Sequence, residues 1–214
     1  MSIKEKQRVT RGFGLLENYL AKKRTRQARA LIPDSFRQGR LLDIGCGRYP
    51  YFLLNVEFNE KYGIDQSSEI TPSRFFTSPV PSIHLEKWNF DRQTGLPFDS
   101  EYFDVVTMLA VFEHLETNQT RELAAEIRRV LKKGGLFIMT TPTPWAKPLL
   151  WLLARLKLVS PVEIDSHKQT YSHKKLIRIF EDSGFKKENI TLGYFEIFMN
   201  IWAKIQKEPG TENI

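Results

Sequence analysis

One cysteine in 214 residues, Cys46, excludes a disulfide framework and a cysteine-rich zinc site. Long apolar runs are missing too. The longest, Leu149–Ala154, stops at Arg155, far short of the roughly 20 residues that cross a bilayer. The opening Met-Ser-Ile-Lys-Glu-Lys lacks the apolar stretch of a signal peptide. There is no internal repeat, no low-complexity tract and no metal-ligand spacing among the four histidines. With 41% hydrophobic and 27% charged residues the chain can bury a core. These features predict a soluble protein of a reducing compartment, the cytoplasm, built around one domain.

Acidic residues are scarce at the start. Residues 1–40 hold eleven Lys and Arg against three acids, a surplus of +8 in a chain whose net charge is +7. A basic arm on a neutral body suits nucleic acid, an anionic membrane surface or an acidic substrate, and it equally suits a solvated helix face. Residues 12–31 read as a helix, with Phe13, Leu16 and Leu20 on one face and Pro33 closing it. Tyr19 extends the apolar side, and the Lys22-Lys23-Arg24-x-Arg26 cluster is expected to face outward. This gives a basic helical cap, 1–38, ahead of a body, 39–214.

From Gly39 onward apolar runs alternate with helical patterns: Leu41–Ile44, Tyr62–Ile64, Ile83–Trp88, Phe103–Leu109 and Leu136–Thr140. A helix is expected over Thr120–Leu131, with Lys132 and Lys133 on its C-terminal dipole and Gly134-Gly135 ending it. Another opens after Ser172, buries Leu176 and Phe180 and stops at Gly184. Ile190–Phe195 and Ile197–Ile205 follow back to back as an antiparallel pair. The expected fold is α/β: a doubly wound, mostly parallel, seven-stranded Rossmann-like sheet with a closing antiparallel hairpin.

In such a sheet ligands bind beyond the carboxyl ends of the strands. The first strand ends Asp43-Ile44-Gly45-Cys46-Gly47, a tight turn that allows close approach to its backbone. The third glycine of the dinucleotide fingerprint is replaced by Pro50, which disfavours a pyrophosphate cofactor. Asp65 follows about twenty residues on, where a ribose-hydroxyl acceptor belongs, and Asp91 closes Trp88-Asn89-Phe90-Asp91. Each acid could be a turn residue. Together they suit a ligand with positive charge, a ribose and an amino-bearing base, as in S-adenosylmethionine.

Over roughly residues 39–145 the chain resembles the class I S-adenosylmethionine-dependent methyltransferases, in their small-molecule branch. The resemblance rests on Leu42-Asp43-Ile44-Gly45-Cys46-Gly47, Asp65, Asn89-Phe90-Asp91 with Leu96-Pro97-Phe98, Phe103-Asp104-Val105-Val106 with Glu113-His114, and Val130–Gly135. It implies that Asp43, Gly45, Cys46 and Gly47 hold the methionine moiety of S-adenosylmethionine. It implies further that Asp65 and Gln66 take the ribose and Phe90 with Asp91 the adenine, S-adenosylhomocysteine being the product. Tyr49 and Pro50 depart from the family's small residue after the second glycine; Pro fits a first helical turn.

The fourth strand exits through Leu109-Ala110-Val111-Phe112-Glu113-His114. The Asn/Asp-Pro-Pro-aromatic motif of amide-nitrogen methylation is absent there, which favours oxygen or carbon as the acceptor atom. His114 is the candidate base, with a structural histidine as the alternative. The acceptor side is expected from an insertion at 142–172. Its apolar part reads as a lid or a bilayer contact. His167, Lys168 and Tyr171 read as a polar patch for the acceptor, which is expected to be a small molecule, lipid- or glycan-linked. Two rival readings are an RNA methyltransferase using the basic arm and a non-catalytic S-adenosylmethionine-binding module.

Overall fold

The computed structural model describes residues 16–67, 83–89, 95–156, 158–159 and 168–210. Its strands are β1 (Arg40–Ile44), β2 (Glu60–Asp65), β3 (Ile83–Lys87), β4 (Phe103–Leu109), β5 (Leu131–Pro142), β6 (Ile190–Phe195) and β7 (Asn200–Gln206). They form one sheet in the order β3-β2-β1-β4-β5-β7-β6. The first five are parallel, and β7 runs antiparallel to both β5 and β6. The buried runs of β1, β4 and β5 are nearly all apolar because helices cover both faces.

One face carries α1 (Glu17–Leu31) and the short α2 (Tyr51–Leu54). Ala28 and Ile32 pack there with Leu41, Val105, Leu136 and Ile138. The buried positions of and just past α1 are Ala21, Thr25, Ala28 and Ile32, spaced i, i+4, i+7, i+11. The docking face therefore differs from the one expected: Leu16 and Leu20 are only half-buried and Tyr19 is exposed, while Phe13 lies outside the described residues.

The other face carries α3 (Thr117–Val130) and α5 (His173–Asp182), which bury Leu123, Ile127, Leu176, Ile179 and Phe180 against Phe103, Val106, Phe137 and Met139. The α3 start is three residues earlier than periodicity predicts. Glu116 and Gln119 form a capping box, with Glu116 N–H donating to Gln119 Oε1 at 2.9 Å. Its end is earlier too. Leu131 already pairs with Phe103 in β5, and Lys132 binds Asp104 at 2.8 Å instead of capping a helix. Gly134, at φ 77°, kinks the strand rather than ending a helix. Ser172 caps α5 as expected, accepting from Lys175 N–H at 3.3 Å. α4 (Ala146–Arg155) follows β5. No helix of the described residues is long and apolar enough to cross a membrane.

Candidate active site

The strand order reverses between β1 and β4, and in an open α/β sheet ligands bind beyond the carboxyl ends of the strands at such a switch point. The β1 exit turns through two left-handed glycines, Gly45 and Gly47, both at φ 75°. Gly45 N–H donates to Ile64 O at 2.8 Å, which folds the turn back on β2. A Cβ on Gly45 would stand 2.4 Å from Val111 Cγ2, so only glycine lets the β4 exit close against this turn.

Two acids stiffen the turn. Asp65, the last residue of β2, accepts from Gly47 N–H through Oδ2 at 3.0 Å and from Ser67 N–H through Oδ1 at 2.8 Å. Asp43 is 4% exposed, and its Oδ1 accepts from Thr107 Oγ1 at 2.7 Å. Burial, with Asp65 nearby adding to it, raises the Asp43 carboxyl to about 7, against the pull of the Thr107 bond. A buried acid held at that value is poised to ionise when a cation arrives. Cys46 is buried with its thiol pushed up by burial, which makes it a small apolar filler under the turn. Gln66 is exposed just past Asp65. Phe90 and Asp91 lie outside the described residues.

The opposite wall is the β4 exit. Ala110 takes φ 57°, a left-handed conformation rare for a residue with a Cβ, and its N–H donates to Thr140 O at 2.9 Å. The chain then makes a single 3-10 turn, Phe112–His114. His114 is half-buried there. Beside it Glu113 is buried, its Oε2 accepting from Thr141 Oγ1 at 3.1 Å. Burial raises the Glu113 carboxyl, while the charges of His114 and of Arg24 from α1 pull it down. Sequence reasoning carried Glu113 only as part of a motif. The available signal was an acid inside the apolar stretch Val111–Leu115, where a carboxyl needs a partner.

The acceptor patch requires correction at Tyr171. The ring is 0% exposed and packs on Phe112, with centroids 5.8 Å apart. Its hydroxyl donates to Phe112 O at 3.1 Å and lies 3.1 Å from Thr120 Oγ1. Burial raises the phenol to about 12. Tyr171 is thus a pin between α3 and the β4 exit, not part of an exposed patch. Lys168 pairs with Glu116 at 3.2 Å, and its N–H holds Glu113 O at 2.8 Å. His167 lies outside the described residues. Tyr171→Phe should cost about 1 kcal/mol of stability and leave kcat unchanged. A tenfold fall in kcat without a change in Tm would return Tyr171 to the chemistry.

Residues 15–190 match a family whose description is a methyltransferase domain. No curated protein matches the chain. Among solved structures, an S-adenosylmethionine-dependent methyltransferase from Mesorhizobium loti superposes with a TM-score of 0.63 at 17% identity, over 85% of this chain and 96% of that one. A chain of the complex between the Haloferax volcanii Trm112 methyltransferase activator and its methyltransferase gives 0.68 at 15%, over 94% and 96%. A methyltransferase from Archaeoglobus fulgidus gives 0.61 at 18%, over 88% and 94%. The buried Asp43, the Gly45–Gly47 turn and Asp65 at adjoining strand ends fit a donor that bears a cation and a ribose. With the family match spanning most of the sequence, the chain belongs to the class I S-adenosylmethionine-dependent methyltransferases.

Proposed function

We propose that this enzyme methylates a small-molecule acceptor on oxygen or carbon, with His114 as the base and the Asp43/Gly45/Gly47/Asp65 cluster holding the donor. The observation that carries this reading is the β4 exit. It offers a half-buried imidazole beside the buried carboxyl of Glu113, in place of the paired prolines used on amide nitrogens. S-adenosylmethionine supplies an electrophilic methyl on a sulfonium. What remains for the protein is to orient the acceptor, exclude water and remove one proton from a hydroxyl or an acidic carbon. His114 takes that proton and passes it to solvent. Glu113 acts through His114 as a positioning residue, its own carboxyl held by Thr141.

Release of S-adenosylhomocysteine, measured against a panel of phenols, 1,3-dicarbonyl compounds, primary amines and unmodified RNA, tests the acceptor class. Turnover is expected with phenols or dicarbonyls. Turnover confined to amines or RNA would overturn the reading. On the productive acceptor, His114→Asn should lower kcat by about 10²- to 10⁴-fold. It should leave donor affinity intact. Loss of donor affinity with kcat preserved would refute the base.

A further inference from the structure

Among the described residues, every large apolar side chain that stands exposed belongs to the first turns of α1, to α4 and its two ends, or to the β6–β7 connection and the end of β6 that leads into it. Such side chains scattered singly are ordinary; gathered at one end they mark a surface that is covered in use. The three pieces are physically joined. Leu16 N–H donates to Leu158 O at 2.8 Å, tying α1 to the segment after α4. Trp145 Nε1–H donates to Phe198 O at 3.0 Å, tying the entry of α4 to the turn. The carboxyl of Glu196, in that turn, feels the charges of Arg24 and Lys23.

The turn itself is unusual. Glu196, Ile197 and Phe198 take φ of 53°, 54° and 62° in succession, and none is glycine. Left-handed backbone is least suited to a β-branched residue such as Ile197. The result is that Ile197 is 92% exposed and Phe198 62% exposed at the tip. Water gives no reason to hold two apolar side chains out on a strained turn.

Charge identifies the occupant. Tyr19, Lys22, Arg26 and Arg29 follow at i, i+3, i+7, i+10 and form one stripe of α1. With Lys23 and Tyr51 they line a groove of about 370 Å³ between α1 and α2, and no acid lines it. Lys22, Arg26 and Arg29 have no ion pair among the described residues. α4 carries no acid and ends on exposed Arg155. Glu196, the acid of the turn, is half-buried, bonded to Asn200 and flanked by Lys23 and Arg24. An apolar platform with a cationic flank complements a bilayer with anionic headgroups, which takes apolar side chains at its acyl boundary and cations on its phosphates.

We propose that this end of the molecule is a docking surface for an anionic lipid bilayer. The β6–β7 tip and the exposed side of α4 enter the headgroup–acyl boundary, and the α1 stripe engages headgroup phosphates. The docking belongs to the exterior of the chain and holds whichever acceptor is methylated.

The test uses the full chain with vesicles of phosphatidylcholine alone and with about 30 mol% phosphatidylserine. Brominated acyl chains serve as quenchers of Trp145 and Trp151. Binding and quenching are expected only with phosphatidylserine, weakening as salt rises. Ile197→Asn with Phe198→Asn should weaken binding at least about tenfold while keeping Tm, because Asn tolerates left-handed backbone. Lys22→Glu with Arg26→Glu should weaken it about as much. Failure to bind anionic vesicles at low salt would overturn the proposal. So would binding lost only in the charge-reversed variant, which would reduce the contact to headgroup attraction without insertion of the apolar tip. A dimer in solution that Phe198→Asn dissociates would assign the face to a second copy instead.

Discussion

Asp43→Asn should make the free protein more stable at pH 8 and, in the same step, a poor binder of S-adenosylmethionine. The Asp43 carboxyl sits at about 7 in the fold against 3.8 in its ordinary state. A raised folded value means that the folded state favours the protonated form. The group therefore costs nothing below about pH 4, its cost grows as pH rises to 7, and it is constant above that. The full cost is as much as about 4 kcal/mol, and removing it should raise Tm by up to about 10 °C at pH 8. At pH 4 the variant and the parent should melt together. Donor binding should move the other way. A lost charge-assisted bond to the cation weakens affinity by about 10- to 100-fold. In the parent, affinity should fall about tenfold from pH 8 to pH 6 as the carboxyl protonates. Calorimetric titration and thermal melts across that range check both arms. A variant less stable than the parent at pH 8, or parent affinity flat from pH 6 to 8, would show that the Asp43 carboxyl is not raised in the free protein and is ionised well below pH 6.

Gly45→Ala is expected to be severely damaging for a single added methyl. Left-handed backbone at φ 75° costs an alanine about 1–2 kcal/mol. The added Cβ stands 2.4 Å from Val111 Cγ2 and 3.2 Å from Cγ1. Valine is stiff at χ1, so the clash is relieved only by moving the β4 exit that carries His114. Overpacking of this kind adds about 1–3 kcal/mol. A fall in Tm of roughly 5–15 °C is expected, with donor affinity and turnover both lost. Adding Val111→Ala should recover the packing part and leave the backbone part. If the double variant melts no higher than the single one, the steric account fails.

The sequence marked strands best where a run rich in β-branched and aromatic residues is bounded by turn residues. Phe103–Leu109 and Ile190–Phe195 have the same bounds in the structure. It was least legible where a polar side chain acts over a distance. Lys132, Lys133, Gly134 and Gly135 read locally as a helix stop, yet Asp104 in the neighbouring strand captures Lys132 and extends β5 back to Leu131. Glu116 and Gln119 open α3 by bonding each other's backbone, which hydrophobic periodicity does not register. Tyr171 looks like a surface phenol until Thr120 and Phe112 O supply its partners from afar. Within the site, Asp43, Gly45, Gly47 and Asp65 were readable because each sits at a strand end. The left-handed Ala110 was not, since nothing in an alanine announces its φ.

The position of β7 bears on how the chain comes to be folded. The last strand in sequence is an interior strand of the sheet, pairing with β5 along Leu136–Pro142 and with β6 along Ile190–Phe195. During synthesis β6 therefore emerges before the strand that will attach it, and it has no edge of the parallel sheet to join by itself. Until Asn200–Gln206 clears the ribosome, β5 presents an unpaired edge with buried-type residues along it. The nascent donor-binding half can form around β1, β2 and β4. The wall that hangs on the β5 exit and the β6–β7 turn is completed only once β7 pairs with β5, as a late cooperative step.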